Sequence, residues 1–180
     1  MINHAGSGIA EVTPNARRLP CLVATLWVAV TVAACTADTR FSSQNARAHV
    51  NQLAGTIGSR PAGSDANRRA REYLVDQLRF FGYTVRVQEA EASRPELGLS
   101  AHVFNIIAVV PGASADALGV MAHYDSRPTS PGAGDDALGT AVALECARLL
   151  ASRRDRQHSI MVLLTDAEEE GLMGAGRGRA

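Results

Sequence analysis

Apolar positions along the chain change period several times, from helical to alternating and back. Ala46, Val50, Leu53 and Ile57 recur at helical spacing behind Ser42 and Ser43, which predicts a capped helix over residues 41–57. The turn-rich stretch 58–63 (GSRPAG) breaks that pattern. Ser64 then caps a longer predicted helix, 65–81, with Ala66, Ala70, Tyr73, Leu74, Leu78 and Phe81 on one stripe and Arg68, Arg69, Arg71 and Asp76 mostly off it. Gly82 ends it as the residue after the C-cap. Residues 83–88 (YTVRVQ) alternate as a half-buried strand, and 89–100 read as a polar, proline-containing loop. Residues 102–110 (HVFNIIAVV) are rich in β-branched side chains and close at Pro111-Gly112, as a core strand does.

Two further apolar runs, 119–122 and 159–164, bracket a helical pattern over 136–152. A strand, a helix and a second strand of that length form a right-handed βαβ unit, while strands 83–88 and 102–110 are expected to pair antiparallel. The fold class is therefore α/β, with a mixed β-sheet flanked by helices. Ligands in such sheets bind outside the carboxyl ends of the strands. His123, Asp125, Glu168 and Glu169 all fall at those ends.

The N-terminal segment reads differently. Residues 1–15 are polar and expected to be disordered; Arg17 and Arg18 precede an apolar run, 21–34, that ends in Val32-Ala33-Ala34-Cys35. A positive region, an apolar region and small residues before a cut make a secretory signal. The final four residues resemble a bacterial lipobox, with Cys35 as the lipidated residue. An uncleaved signal anchor over 19–34, crossing with tilt or local thinning, is the alternative, and a buried core helix the plainest one. Residues 1–40 are thus expected to be a leader or membrane anchor. Residues 41–180, about 140 in number, suffice for one catalytic domain on the periplasmic or exterior side of the cell envelope.

Composition narrows the classes. Eighteen basic residues balance eighteen acidic ones, all the basic ones are arginine, and aromatic content is 4%, so no nucleic-acid partner is indicated. Cys21, Cys35 and Cys146 are too few and too scattered for a disulfide framework, and Cys146 reads as a small apolar residue.

The chemistry lies in GVMAHYDSRPTSPGAGDDALG and DAEEEGLMGA. Imidazole and several carboxylates at strand ends form the donor set of a hydrolytic Zn²⁺ site. Each residue alone has an ordinary reading: His123 as a satisfied core histidine, Asp125 as a turn residue, Asp135 and Asp136 as helix caps, Glu168 and Glu169 as solvated charge. In combination, Asp125 in H-x-D can hold the far nitrogen of a ligating His123. An Asp at the helix start can bridge two metals. One of the two glutamates can ligate while its neighbour moves a proton.

HYDSRPTSPGAGDDALG followed by DAEEEGLMGA resembles the zinc aminopeptidase family of bacterial leucyl aminopeptidases, related to glutaminyl cyclases and glutamate carboxypeptidase. NIIAVVPG and the 64–81 helix extend the resemblance to roughly residues 41–175, closest to the membrane-associated endoplasmic-reticulum metallopeptidases and their bacterial relatives. It implies the zinc aminopeptidase (phosphorylase/hydrolase-like) fold and a site holding two Zn²⁺. His123 would be a terminal ligand of one zinc with Asp125 behind it, Asp135 the bridging ligand, and Glu169 a ligand of the second zinc. Glu168 would be the general base toward a metal-bridging water. Asp136 and Glu170 would carry no metal role. The implied reaction removes the N-terminal residue of a peptide substrate.

One departure accompanies the match. The family supplies a further Asp and His beyond E-E-x-G-L, whereas no His follows His158 and no Asp follows Asp166 in this sequence. The expectation is therefore a C-terminally truncated domain in which each zinc has one protein ligand fewer than a catalytic zinc usually has. A non-catalytic remnant or binding module of the fold is the alternative, and a carboxypeptidase or glutaminyl cyclase a further one.

Overall fold

A computed structural model of the protein describes residues 40–175. The expected leader with Cys35, and the final residues 176–180, lie outside them. Helix α1 (Ser43–Val50) begins where Ser42, in extended backbone, accepts a hydrogen bond from the Asn45 amide at 3.2 Å. The expected single helix widens into a π-helical stretch at Asn51–Ile57, closed by a bond from the Gly58 amide to the Leu53 carbonyl. Helix α2 (Asp65–Phe80) is capped by Ser64 on the Asn67 amide, as its sequence predicts. Its buried stripe is Asn67, Ala70, Leu74, Val75 and Leu78.

Four strands form one sheet in the order β1-β2-β4-β3. Strands β1 (Thr84–Arg94) and β2 (Leu99–Val110) pair antiparallel from Thr84↔Val109 out to Arg94↔Leu99. The expected loop over 89–100 is instead the outer half of this hairpin, with the chain reversing at residues 95–98. Ala90 and Ala92 alternate with Glu89 and Glu91 there, and Ala92 is buried with Val103, Ala167 and Met173. Alanine has weak strand propensity, so the alternation was masked; packing against neighbours fixes the strand instead.

Strand β3 (Ser114–His123) starts earlier than its apolar run predicts, at Ser114 rather than Gly119, because a register irregularity between Ser114 and Ala117 lets the polar start join the sheet. Strand β4 (His158–Thr165) pairs parallel with β3 and antiparallel with β2, and helix α3 (Leu138–Ser152) makes the crossover between β3 and β4. The α3 boundary differs from the expected Asp136, since Asp135 and Asp136 have non-helical backbone and are joined by a cis peptide. Leu74, Leu78, Leu144 and Ala147 of the helices pack on Ile106, Ala108, Ile160, Val162 and Leu164 of the sheet. Each such leucine, removed from water, contributes about 1.5–3 kcal/mol. This core holds β3 and β4 in a register that sets His123 beside Thr165.

Candidate metal centre

His123 is the last residue of β3, and the chain beyond it turns into the loop carrying Asp125. Asp125 is fully buried, and its carboxylate is shared three ways. Oδ1 lies 3.2 Å from His123 Nδ1 and accepts from the Glu168 amide at 3.1 Å, while Oδ2 accepts from the Glu169 amide at 3.1 Å. One carboxylate thus fixes the imidazole at the end of β3 and the glutamate turn after β4. With Nδ1 held, Nε2 faces Asp135 Oδ1 at 3.1 Å and Glu168 Oε2 at 3.7 Å. Burial alone would lower the His123 pKa; Asp125, Asp135 and Glu168 outweigh it and push it up to about 9.

Asp136 serves the backbone. Its Oδ2 accepts from the His123 amide at 3.3 Å and its Oδ1 from the Gly139 amide at 2.9 Å, while Thr140 Oγ1 donates to the His123 carbonyl at 2.8 Å. Asp136, just ahead of α3, and Thr140 in its first turn therefore grip His123 by both of its main-chain groups. Glycine is required at 139 by space: a Cβ there would lie 2.1 Å from Asp136 Oδ1.

Glu169 is held differently from the other acids. Arg127 Nε donates to its Oε2 at 2.8 Å, so its carboxylate is taken up by a guanidinium. The structure brings His123, Asp125, Asp135 and Glu168 together, and joins Glu169 to them through its amide. Among the described residues, no group of three His, Cys, Asp or Glu side chains converges on a common point as a complete metal shell does. Part of one shell is nevertheless laid out. A buried carboxylate on Nδ1 leaves Nε2 turned to two carboxylates, the arrangement that orients a metal-ligating imidazole. His123 and Asp135 fit one Zn²⁺ as two of its donors.

Further positioning residues escaped the sequence reading. Arg60 is fully buried inside the turn GSRPAG and donates to the carbonyls of Tyr124 (Nε, 2.6 Å), Pro131 (Nη1, 2.5 Å) and Gly132 (Nη2, 3.3 Å). It therefore moulds the whole loop from Tyr124 to Gly132. Burial lowers its pKa, and Asp125 and Asp136 counter that. Asp166, also fully buried, accepts from Asn67 Nδ2 at 2.9 Å and the Phe104 amide at 3.1 Å, and Asn105 Oδ1 accepts from the Asp166 amide at 3.0 Å. Burial raises the Asp166 pKa against those bonds. Next to it Ala167 takes a left-handed φ of 53°, which aims the glutamate turn back at Asp125. The only signal for Arg60 was an arginine inside a tight turn, and for Asp166 an acid directly after a buried strand.

Comparison with known proteins follows the same residues. Residues 105–177 match Peptidase family M28. Endoplasmic reticulum metallopeptidase 1 of Mus musculus is 30% identical over 153 residues, covering 75% of this chain and 17% of that protein. Aminopeptidase YwaD of Bacillus subtilis is 48% identical over 60 residues, covering 33% of this chain and 13% of that protein. The chain thus spans less than a fifth of either relative. Among solved structures, a glutaminyl cyclase of Porphyromonas gingivalis superposes with a TM-score of 0.66 at 34% identity, covering 73% of this chain and 47% of the other. A Zn-dependent exopeptidase of Parabacteroides distasonis gives 0.63 at 26% identity, covering 71% and 47%. The four-stranded mixed sheet is that of the zinc exopeptidase and glutaminyl cyclase fold, and residues 105–177, which carry both acidic motifs, are the part of this chain that matches Peptidase family M28.

Proposed function

We propose that this chain is part of an exported, envelope-anchored zinc metallopeptidase that removes N-terminal residues from peptides. The observation that carries the reading is the shared Asp125 carboxylate, which holds His123 with Nε2 facing Asp135 and Glu168. His123 and Asp135 would hold one Zn²⁺; Asp135 and Glu169 would hold the second, once Glu169 exchanges Arg127 for the ion. Bound zinc supplies Lewis-acid polarisation of the scissile carbonyl and makes water a competent nucleophile near neutral pH. The chain's residues do the rest. Asp125 keeps the imidazole in one orientation. Glu168, a third exposed and fixed by its amide, takes a proton from the attacking water and returns it to the leaving amine, a role worth roughly 10²–10⁴ in rate. Cys35 would carry a lipid, or residues 19–34 would remain as an anchor, placing the site outside the cytoplasm.

A glutaminyl cyclase reading has one specific support, the 34% identity to the cyclase of P. gingivalis. Both readings use the same donors and take a peptide N-terminus. The test is zinc stoichiometry on the full chain, with aminoacyl-p-nitroanilides and an N-terminal glutaminyl peptide as alternative substrates. Zinc-dependent p-nitroaniline release supports the aminopeptidase, and ammonia release from the glutaminyl peptide alone supports the cyclase. Neither zinc binding nor turnover would leave the chain a binding module of this fold.

A further inference from the structure

Beside the metal centre, α1 and the start of α3 enclose an open groove of about 330 Å³. Its walls are Phe41, Val50, Leu138 and Val142, with Arg47 among the lining residues and no acidic side chain. Phe41, Leu138 and Val142 are 47%, 53% and 39% exposed, an apolar set that nothing in the fold covers among the described residues. Leu138, in the groove wall, lies three positions past Asp135 in sequence. The apolar run 21–34 and Cys35 precede Phe41 in sequence, and the six or seven residues from Cys35 or Ala34 to Phe41 reach at most about 25 Å. Whichever form of anchor holds the chain, Phe41 is therefore tethered within that distance of the bilayer surface.

We propose that the α1–α3 groove rests on the membrane, with Phe41, Leu138 and Val142 at the headgroup–acyl boundary and Arg47 toward anionic headgroups. The inference depends on the membrane-anchor reading given above. An apolar face rimmed by arginine and held close to a bilayer by its own tether is the pattern of an interfacial surface, and the tether removes most of the cost of finding it. The metal centre then opens sideways along the membrane. Peptide N-termini presented close to the bilayer would reach it first.

The single tryptophan of the chain, Trp27, lies in the apolar run and makes the two claims separable. The full chain, made without signal processing, is placed in phosphatidylcholine–phosphatidylserine vesicles containing brominated phosphatidylcholine, which quenches tryptophan in contact with acyl chains. In the unaltered chain, quenching of Trp27 tests the anchor. In a Trp27→Phe background, Val142→Trp reports on the groove and Asp155→Trp, beyond the far end of α3, is the control. The expected result is quenching at position 142 at least threefold stronger than at 155, abolished by adding Leu138→Glu with Trp27 quenching unchanged in its own background. Leu138 is more than half exposed, so the charge leaves the core intact, which circular dichroism checks. Quenched Trp27 with equal quenching at 142 and 155 overturns the docking proposal alone. Unquenched Trp27 overturns the anchor reading and the proposal with it. Emission at 142 that shifts blue only with rising protein density, without bromine quenching, assigns the groove to a second copy and also overturns it.

Discussion

The two sides of the candidate metal centre are built to different standards. On one side, the Asp125 side chain is 1% exposed and the His123 side chain 11%, and both carboxylate oxygens of Asp125 are in use. On the other, the Asp135 side chain is 78% exposed and that of Glu168 33%, and both carboxylates face His123 Nε2. The buried side orients and the exposed side receives. Preorganisation of the orienting groups costs stability only once, at folding, whereas groups that meet an ion or a substrate must stay accessible. A mutation on the first side should therefore act on the fold and the site together, and one on the second on chemistry alone.

The sharpest break in that comparison is Glu168→Gln in a chain that turns over substrate. Turnover should fall about 10²–10⁴-fold, while the denaturant midpoint moves by less than about 0.5 kcal/mol. Unchanged turnover would remove Glu168 as the base. Arg60→Met comes next, on the buried side. It deletes the cation that three loop carbonyls share and leaves Asp125 and Asp136 without its charge, so unfolding free energy should drop by about 3–5 kcal/mol in a urea titration. Asp125→Ala strands His123 Nδ1 and two amides, and is expected to cost about 2–3 kcal/mol and to weaken zinc binding 10- to 100-fold. Asp135→Ala should abolish retained zinc with little change in stability. Equal zinc loss from Asp136→Asn would sink the distinction between the two neighbouring acids.

The smallest expected effect is a pH dependence far from the centre. His49 is buried against Tyr73, and burial lowers its pKa while Glu145 opposes that. A histidine whose folded pKa lies below its unfolded value binds its proton more readily when unfolded. Its contribution to stability is full above about pH 6.5 and declines as pH falls below that value. Urea midpoints from pH 8 to 5.5 should show this decline, and His49→Gln should flatten it.

The sequence made the strand ends and the acid order legible because both are local: a β-branched run, then His or Glu, read without knowing any partner. The helix caps Ser42 and Ser64 were equally readable. What stayed hidden depends on contacts distant in sequence. Arg60 acts on residues 64 to 72 positions away, and Ala90 and Ala92 belong to a strand only because Ala167 and Met173 lie against them. Asp136 looked like the opening of a helix and is instead the anchor of the strand behind it, a role that needs its non-helical backbone. The family resemblance supplied the residue roles; the periodicity alone placed the residues without assigning them.

Strand order has a consequence for synthesis. Because β4 sits between β2 and β3, β3 has no place in the sheet until β4 has been made. The ribosome must add 42 residues after His123 to reach Thr165, about 2–8 s at ordinary elongation rates. During that interval the nascent segment SADALGVMAH has both edges bare, and its Leu118 and Met121 remain exposed among the described residues even after β4 has paired with it. The segment that ends in His123 thus waits, unpaired, for the strand that will seat it.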